Sequence, residues 1–336
     1  MTNYSKLPCL AVTVAVFCVG AINAGAQSTG ATIYYSDWVS QTRTVHRMNA
    51  DGSGKTPIFS LPLYGGAPSC SSTIHAGGRW FVRKADPGWD TYEYAPEIQL
   101  YSESGDFRVF PLDYGTLDPE LLGSLGGAKW VPGDQEISFP ARRVVDGQVV
   151  EAGLFAVAVQ YLDGVPSGIS SPYLKLATPT TMDGEFGIVP AVQGGHDWNP
   201  TGTAAVCGRV EQPNPWTTAS QLYVVSSAGV TVLRNLNGLM AGPTWAPGTV
   251  NRVLYLEGGA AVCTIAVDGT GWKKVFSVKA SSTTWLESPA WSFDGSSILY
   301  TLMKTGRNGS RTIYKIGASG SGNKSMNTSG NPMAWK

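Results

Sequence analysis

The sequence predicts an all-β chain: a six-bladed β-propeller of four-stranded antiparallel blades, one of them closed by strands from the N- and C-terminal ends. Three observations predict it. The composition is rich in turn formers and poor in charge, with 41 Gly, 21 Pro and 14% Asp, Glu, Lys and Arg, as expected for short strands and many reversals. A tryptophan-anchored phrase recurs along the chain, and no sustained helical periodicity interrupts it. The two ends of the chain read as complementary parts of one repeat.

The first 26 residues stand apart from this pattern. Lys6 supplies a weakly positive start, Cys9 to Ile22 is apolar except for Thr13 and Gly20, and Ala24-Gly25-Ala26 offers a small-x-small cleavage site. These features predict a secretory signal over 1–26, too short to span a bilayer as a helix. A propeller domain over 27–336 is expected to follow, exported to the periplasm or beyond the cell.

The repeated phrase places Trp, or once Cys, just before a turn and an apolar strand. It reads AKWVPGDQEISF at 128–139, HDWNPTGTAAVC at 196–207, PTWAPGTVNRVLY at 243–255 and PAWSFDGSSILY at 289–300. A weaker copy, PSCSSTIHAGGRWFV at 68–82, has Cys70 at the anchor, and PMAWK at 332–336 begins the phrase again. The anchors fall at 70, 130, 198, 245, 291 and 335. Asp294-Gly295 and its substitutes permit the backbone of a tight hairpin. Trp291 is expected between blades, where a large ring with one N–H donor fills space, and Asp294 is expected in the turn.

A second phrase follows each first one: a short alternating strand, a Gly turn and another strand. Examples are TVHRMNADGSGKTPIF (44–59), QLYVVSSAGVTVL (221–233) and AVCTIAVDGTGWKKVF (261–276). Two hairpins per repeat make a four-stranded unit of about 40–50 residues, the signature of a propeller blade. TIYYSDW (32–38) matches the second strand of a repeat and PMAWK matches a first strand. Pairing the two closes the ring and covers a sheet edge. The spacers 83–97, 140–153 and 208–220 are then expected as loops within blades.

These repeats resemble those of the TolB-like propellers, whose unit runs Pro-x-Trp-Ser-Pro-Asp-Gly into an apolar strand. Pro289-Ala290-Trp291-Ser292-Phe293-Asp294-Gly295 matches it at every position except Phe293, and His46-Arg47-Met48-Asn49-Ala50-Asp51-Gly52 is close to the second phrase. The resemblance covers essentially all of 27–336 and implies a stand-alone propeller without the small α/β domain that precedes it in TolB. It also implies a binding role, because TolB engages a lipoprotein partner through its propeller. Similar repeats cover the active sites of prolyl oligopeptidase-like enzymes, but no hydrolase domain or G-x-S-x-G elbow follows here.

Residues just before each anchor belong to the segment leading into the innermost strand, which borders the axial channel. Polar or aromatic side chains there make Tyr64, Gln193, His196, Asp197, Trp285, Glu287 and Asn331 the candidate ligand-binding residues. Irregular polar segments also carry Trp89, Tyr92, Tyr94 and Trp216, rings suited to protein or carbohydrate recognition. The chain has three histidines, His46, His75 and His196. His196 with two carboxylates could form an acid/base pair or a modest metal site, but one rim histidine cannot supply the multi-histidine metal site of propeller polysaccharide lyases. No catalytic residue, metal or cofactor is assigned.

Cys70, Cys207 and Cys263 lie beyond the signal and read as small buried hydrophobes, with a Cys207–Cys263 bridge as the alternative. Lys and Arg are not clustered and balance Asp and Glu at 24 each, which excludes a nucleic-acid partner. No later stretch is apolar enough to embed in a membrane. The reading is an exported monomer that binds an envelope or extracellular protein, or a glycan. The alternative is a carbohydrate-active lyase or hydrolase working around His196.

Overall fold

The computed structural model describes the unit Ala31–Lys336 except residues 40–41, 63–67, 86–95, 119–126, 184–186, 215–216, 280, 282 and 307–308. The predicted signal lies outside the described residues. No helix occurs among the described residues, so none is long and apolar enough to cross a membrane.

Six antiparallel blades form a ring, and the repeats of the sequence are its blades. Blade 1 joins β1 (Thr32–Val39), β2 (Thr42–Asn49) and β3 (Thr56–Pro62) to the last strand, β27 (Asn331–Trp335). Ile33 sits opposite Trp335 and Tyr34 opposite Ala334, so the closing blade uses both ends of the unit as the sequence predicts. Blade 2 contains β4 (Ser69–Cys70), β5 (Trp80–Ala85), β6 (Glu97–Ser102) and β7 (Phe107–Pro111). Blade 3 contains β8 (Lys129–Trp130), β9 (Glu136–Val145) and β10 (Gln148–Leu162). Its outer strand is split into β11 (Val165–Ile169) and β12 (Tyr173–Ala177). A small hairpin, β13 (Thr180–Asp183) with β14 (Gly187–Pro190), leads into blade 4.

Blade 4 is β15 (His196–Trp198), β16 (Ala204–Asn214), β17 (Thr217–Ser226) and β18 (Gly229–Asn237). Blade 5 is β19 (Met240–Trp245), β20 (Arg252–Glu257), β21 (Ala261–Ala266) and β22 (Lys273–Ser277). Blade 6 is β23 (Thr284–Trp291), β24 (Ser297–Lys304), β25 (Ser310–Gly317) and β26 (Lys324–Ser325).

The core is divided into six clusters, one between each pair of successive blades, and each takes the anchor of the later blade. Trp130 packs with Trp80 and Val82, Trp198 with Leu154, and Trp245 with Val206 and Leu222. Trp291 packs with Leu254 and Leu256, Trp335 with Leu299 and Ile313, and Cys70 with Tyr34 and Val45. The pleat explains how one strand serves two clusters. Val253 and Tyr255 face blade 4, whereas Leu254 and Leu256 face blade 6, because successive side chains point to opposite faces. Cys70 tolerates its small size because Phe59, Phe81 and Tyr101 fill the space, with Tyr34 set edge-on to Phe81 at 5.3 Å.

Trp291 is 6% exposed, and its Nε1 donates to the carbonyl of Thr244 in blade 5 at 3.3 Å. Asp294 sits in the turn, where its carboxylate accepts from Ser292 Oγ and the Ser296 amide, while Gly295 takes a φ of 69°. The sequence reading of this stretch as scaffold is what the structure contains.

Two spacers expected as loops are strands instead. β9 and β10 continue to Val145 and Gln148 as a ribbon turned by Asp146 and Gly147, with φ of 51° and 74°. Both residues take the left-handed conformation that an Asp-Gly hairpin turn requires. β16 and β17 likewise pair out to Asn214 and Thr217. In each case the hydrogen-bonded ladder runs on past the blade. Cys70, Cys207 and Cys263 are buried free thiols. Cys207 and Cys263 belong to different clusters, so the alternative bridge does not form.

Candidate functional site

The six innermost strands surround an axial channel, and the residues leading into them meet at one end. Pro68, Gly127, Gly195, Gly242, Ser288 and Asn331, one from each blade, line a cavity of about 310 Å³. This inlet cavity also takes Ser36, Arg43, Lys129, Pro140 and His196. At the other end, where the anchor tryptophans lie, two cavities of about 320 Å³ each share Ser69, Cys70, Asp197, Trp245, Pro247 and Lys336. Lys129 lines both the inlet cavity and one of these, so it stands midway along the axis.

Small residues dominate the inlet rim because the backbones crowd there. Gly194 donates to the Gly208 carbonyl at 2.8 Å and Gly208 donates back to Gly195 at 2.9 Å. A Cβ on Gly208 would stand 2.4 Å from Met240 Cε and 3.0 Å from the Gly194 Cα. A side chain at 208 would have to displace the end of Met240 and press on the Gly194 backbone.

His196 is 4% exposed, with Nε2 at 3.3 Å from Ser138 Oγ. The same hydroxyl accepts from Trp198 Nε1 at 2.7 Å and reaches the Lys129 carbonyl at 3.3 Å. Burial, with Lys129 and Lys84 nearby, pushes the imidazole down to about 3. It is therefore neutral across the physiological range. Asp197, its neighbour in sequence, opens on the tryptophan end and accepts from the Trp245 amide at 2.9 Å. Burial raises its carboxyl, against the pull of Lys129.

The other sequence candidates are dispersed. Asn331 lines the inlet cavity beside His196. Gln193 follows the lining residue Val192, and Gln193 Oε1 and Asn331 Oδ1 are buried acceptors with no hydrogen-bond partner among the described residues. Trp285 Nε1 donates to Glu287 Oε1 at 2.7 Å, and Arg311 Nη2 lies 3.3 Å from Glu287 Oε2. These three form their own group, and neither Trp285 nor Glu287 is among the inlet lining. Tyr64, Trp89, Tyr92, Tyr94 and Trp216 lie outside the described residues.

The cations of the inlet were not singled out in the sequence. Arg43, the second residue of β2, lines the cavity, and burial beside Arg83 and Arg311 pushes its guanidinium down to about 10. Lys129 occupies the position before the anchor, where the other blades carry Ser69, Asp197, Thr244, Ala290 and Ala334. That it is the one cation in the set was a readable signal. No Asp or Glu among the described residues lines the inlet cavity. Among the described residues, no group of three or more His, Cys, Asp or Glu side chains could hold a metal ion.

A second polar cluster joins blades 2 and 3. The Asp134 carboxylate is fully buried and accepts from the amides and hydroxyls of Ser72 and Thr73, with His75 Nε2 at 3.2 Å. His75 stacks on Tyr161, whose hydroxyl donates to the Asp134 carbonyl. Its four amide and hydroxyl donors saturate the carboxylate, which makes the cluster an interblade clasp.

No family model matches this chain, and no curated protein does. Solved structures do. TolB from Acinetobacter baumannii is 15% identical with a TM-score of 0.54, over 91% of this chain and 66% of TolB. Oligogalacturonate lyase from Vibrio parahaemolyticus is 14% identical with a TM-score of 0.49, over 88% of this chain and 71% of the lyase. The chain thus spans just under two thirds of TolB's length. The likeness to TolB is one of fold, a TolB-like propeller.

Proposed function

We propose that this chain is an exported binding module, with residues 1–26 as its signal, and that it recognises a protein or glycan at the inlet end of the axial channel. The observation that supports binding over catalysis is the state of His196. It is buried, fixed to Ser138 and held neutral far below its ordinary value, so it would exchange no proton near neutral pH. Asp197, the carboxylate beside it in sequence, faces the other end of the channel. A rim drawn from all six blades forms a concave seat of the kind ligands occupy.

The test is capture from an envelope extract by the purified chain, alongside an Asn331→Trp variant that fills the seat. Retention of a partner or glycan by the parent and its loss in the variant support the reading. Retention of nothing, or capture indifferent to the variant, overturns it. Polysaccharide cleavage abolished by His196→Ala would establish the enzyme instead.

A further inference from the structure

We infer that the inlet cavity takes a small hydroxylated acid, of sugar-acid size, with its carboxylate on the Lys129 ammonium and a hydroxyl on Asn331 Oδ1. This rests on the reading of that cavity as the ligand seat.

Charge is the first support. Among the described residues, Lys129 and Arg43 line the cavity and no Asp or Glu does. The chain as a whole is electrically balanced, with 24 basic and 24 acidic residues, so the bias is local. At two groups of the site neighbouring cations add to the effect of burial: burial first, then Arg83 and Arg311, lowers Arg43, and burial first, then Lys129 and Lys84, lowers His196. Of the other carboxylates, Glu287 is bound to Arg311 and Trp285 and Asp37 to His46, while Asp197, which lines a far cavity together with Lys129 and feels its pull, accepts from the Trp245 amide. The Lys129 ammonium forms no hydrogen bond or ion pair among the described residues. A cation in a concave, partly desolvated seat attracts an anion more strongly than it would in open water.

Hydrogen bonding is the second support. Asn331 lines the cavity, and its Oδ1 is a buried acceptor with no hydrogen-bond partner among the described residues; such a group is costly unless something donates to it. A hydroxyl-bearing ligand supplies that donor. A third support is size, since about 310 Å³ lies at the small end of the range for small-molecule sites, roughly 300–1,000 Å³. Pro68, Pro243, Pro289 and Pro332 on the rim fix φ and give it a rigid outline at little ordering cost.

The experiment is isothermal titration of the purified chain with D-glucuronate and with D-glucose at low ionic strength. Glucuronate is expected to bind at least tenfold tighter than glucose, and to weaken as sodium chloride is raised. Lys129→Met, which keeps the stem, should remove the preference. Asn331→Asp, which leaves Lys129 in place and adds a repelling charge, should weaken glucuronate and not glucose. Equal binding of the two sugars, a preference that survives Lys129→Met, or binding of neither sugar overturns the inference. If the sugars fail while Asn331→Trp still blocks partner capture, the seat stands and the acid falls. If capture is also indifferent to that variant, both fall.

Discussion

The Trp198 indole donates its Nε1 hydrogen to Ser138 Oγ at 2.7 Å, across the boundary between blades 4 and 3. Trp130 does the same to the Trp80 carbonyl at 3.1 Å, and Trp291 to the Thr244 carbonyl at 3.3 Å. A ring that fills the wedge between two blades therefore also ties the later blade to the earlier one. Trp245 and Trp335 depart from this pattern: neither Nε1 has a hydrogen-bond partner among the described residues, and Lys315 Nζ lies 4.5 Å from the Trp335 ring.

Replacing Trp291 with Ala should cost about 3–5 kcal/mol, as expected for emptying a large aromatic site. Urea denaturation reads the loss as a lower midpoint at nearly unchanged slope. An unchanged midpoint would mean that the blades do not depend on this wedge.

Buried neutral His196 makes stability fall with acid. Its ordinary value is near 6.5 and its folded value about 3, so the unfolded chain takes up a proton first. The contribution is complete above pH 6.5 and is lost as pH drops from there toward 3. By pH 5 the loss reaches about 2 kcal/mol, at 1.36 kcal/mol per unit. Chemical denaturation at pH 7 and pH 5 should show this drop in the parent, and His196→Gln should flatten it.

Asp134 acts in a lower window. Burial raises its carboxyl, but the bonds from Thr73 and Ser72 outweigh burial and hold it below the usual aspartate value. Its stabilisation is therefore present above about pH 4 and fades as pH falls through the lowered value. Asp134→Ala at pH 7 should cost about 1–3 kcal/mol or more, because the Ser72 and Thr73 donors lose their acceptor. The same substitution at pH 2 should cost markedly less. Equal costs at both pH values would remove the charge from the account.

The approach of Gly194 to Gly208 leaves little room for a methyl group. Gly208→Ala should destabilise the fold and disturb Met240, while Gly133→Ala would meet no atom within 4 Å and would test only its left-handed φ of 96°. Paired melting curves separate crowding from backbone strain.

Thiol chemistry gives a simple check on the core. Cys70 and Cys207 are buried, and burial pushes both up to about 12, so neither forms the reactive thiolate in the folded protein. Both should label with a thiol reagent after denaturation and resist it before. Rapid native labelling of Cys207 would contradict the packing between blades 3 and 4.

The sequence by itself determined the number of blades, their order, the closing blade and the burial of the anchors. These follow from patterns within each repeat: a turn residue where φ must be positive, alternation along a strand, a large ring before the turn. It also pointed to the segments that meet at the inlet. It misjudged 140–153 and 208–220, where the ladder outlasts the blade.

The tertiary structure alone decided what the inlet contains. His196 and Asp197 are adjacent in sequence and looked like a pair. The pleat sends them to opposite faces, one toward Ser138 of blade 3 and the other toward Trp245 of blade 5. Lys129 and Arg43 come from blades 3 and 1 and share a cavity because the ring converges on its axis. A strand's own sequence carries its two faces, but not which distant strand stands opposite each; closing the ring fixes that, and with it the charge of the seat.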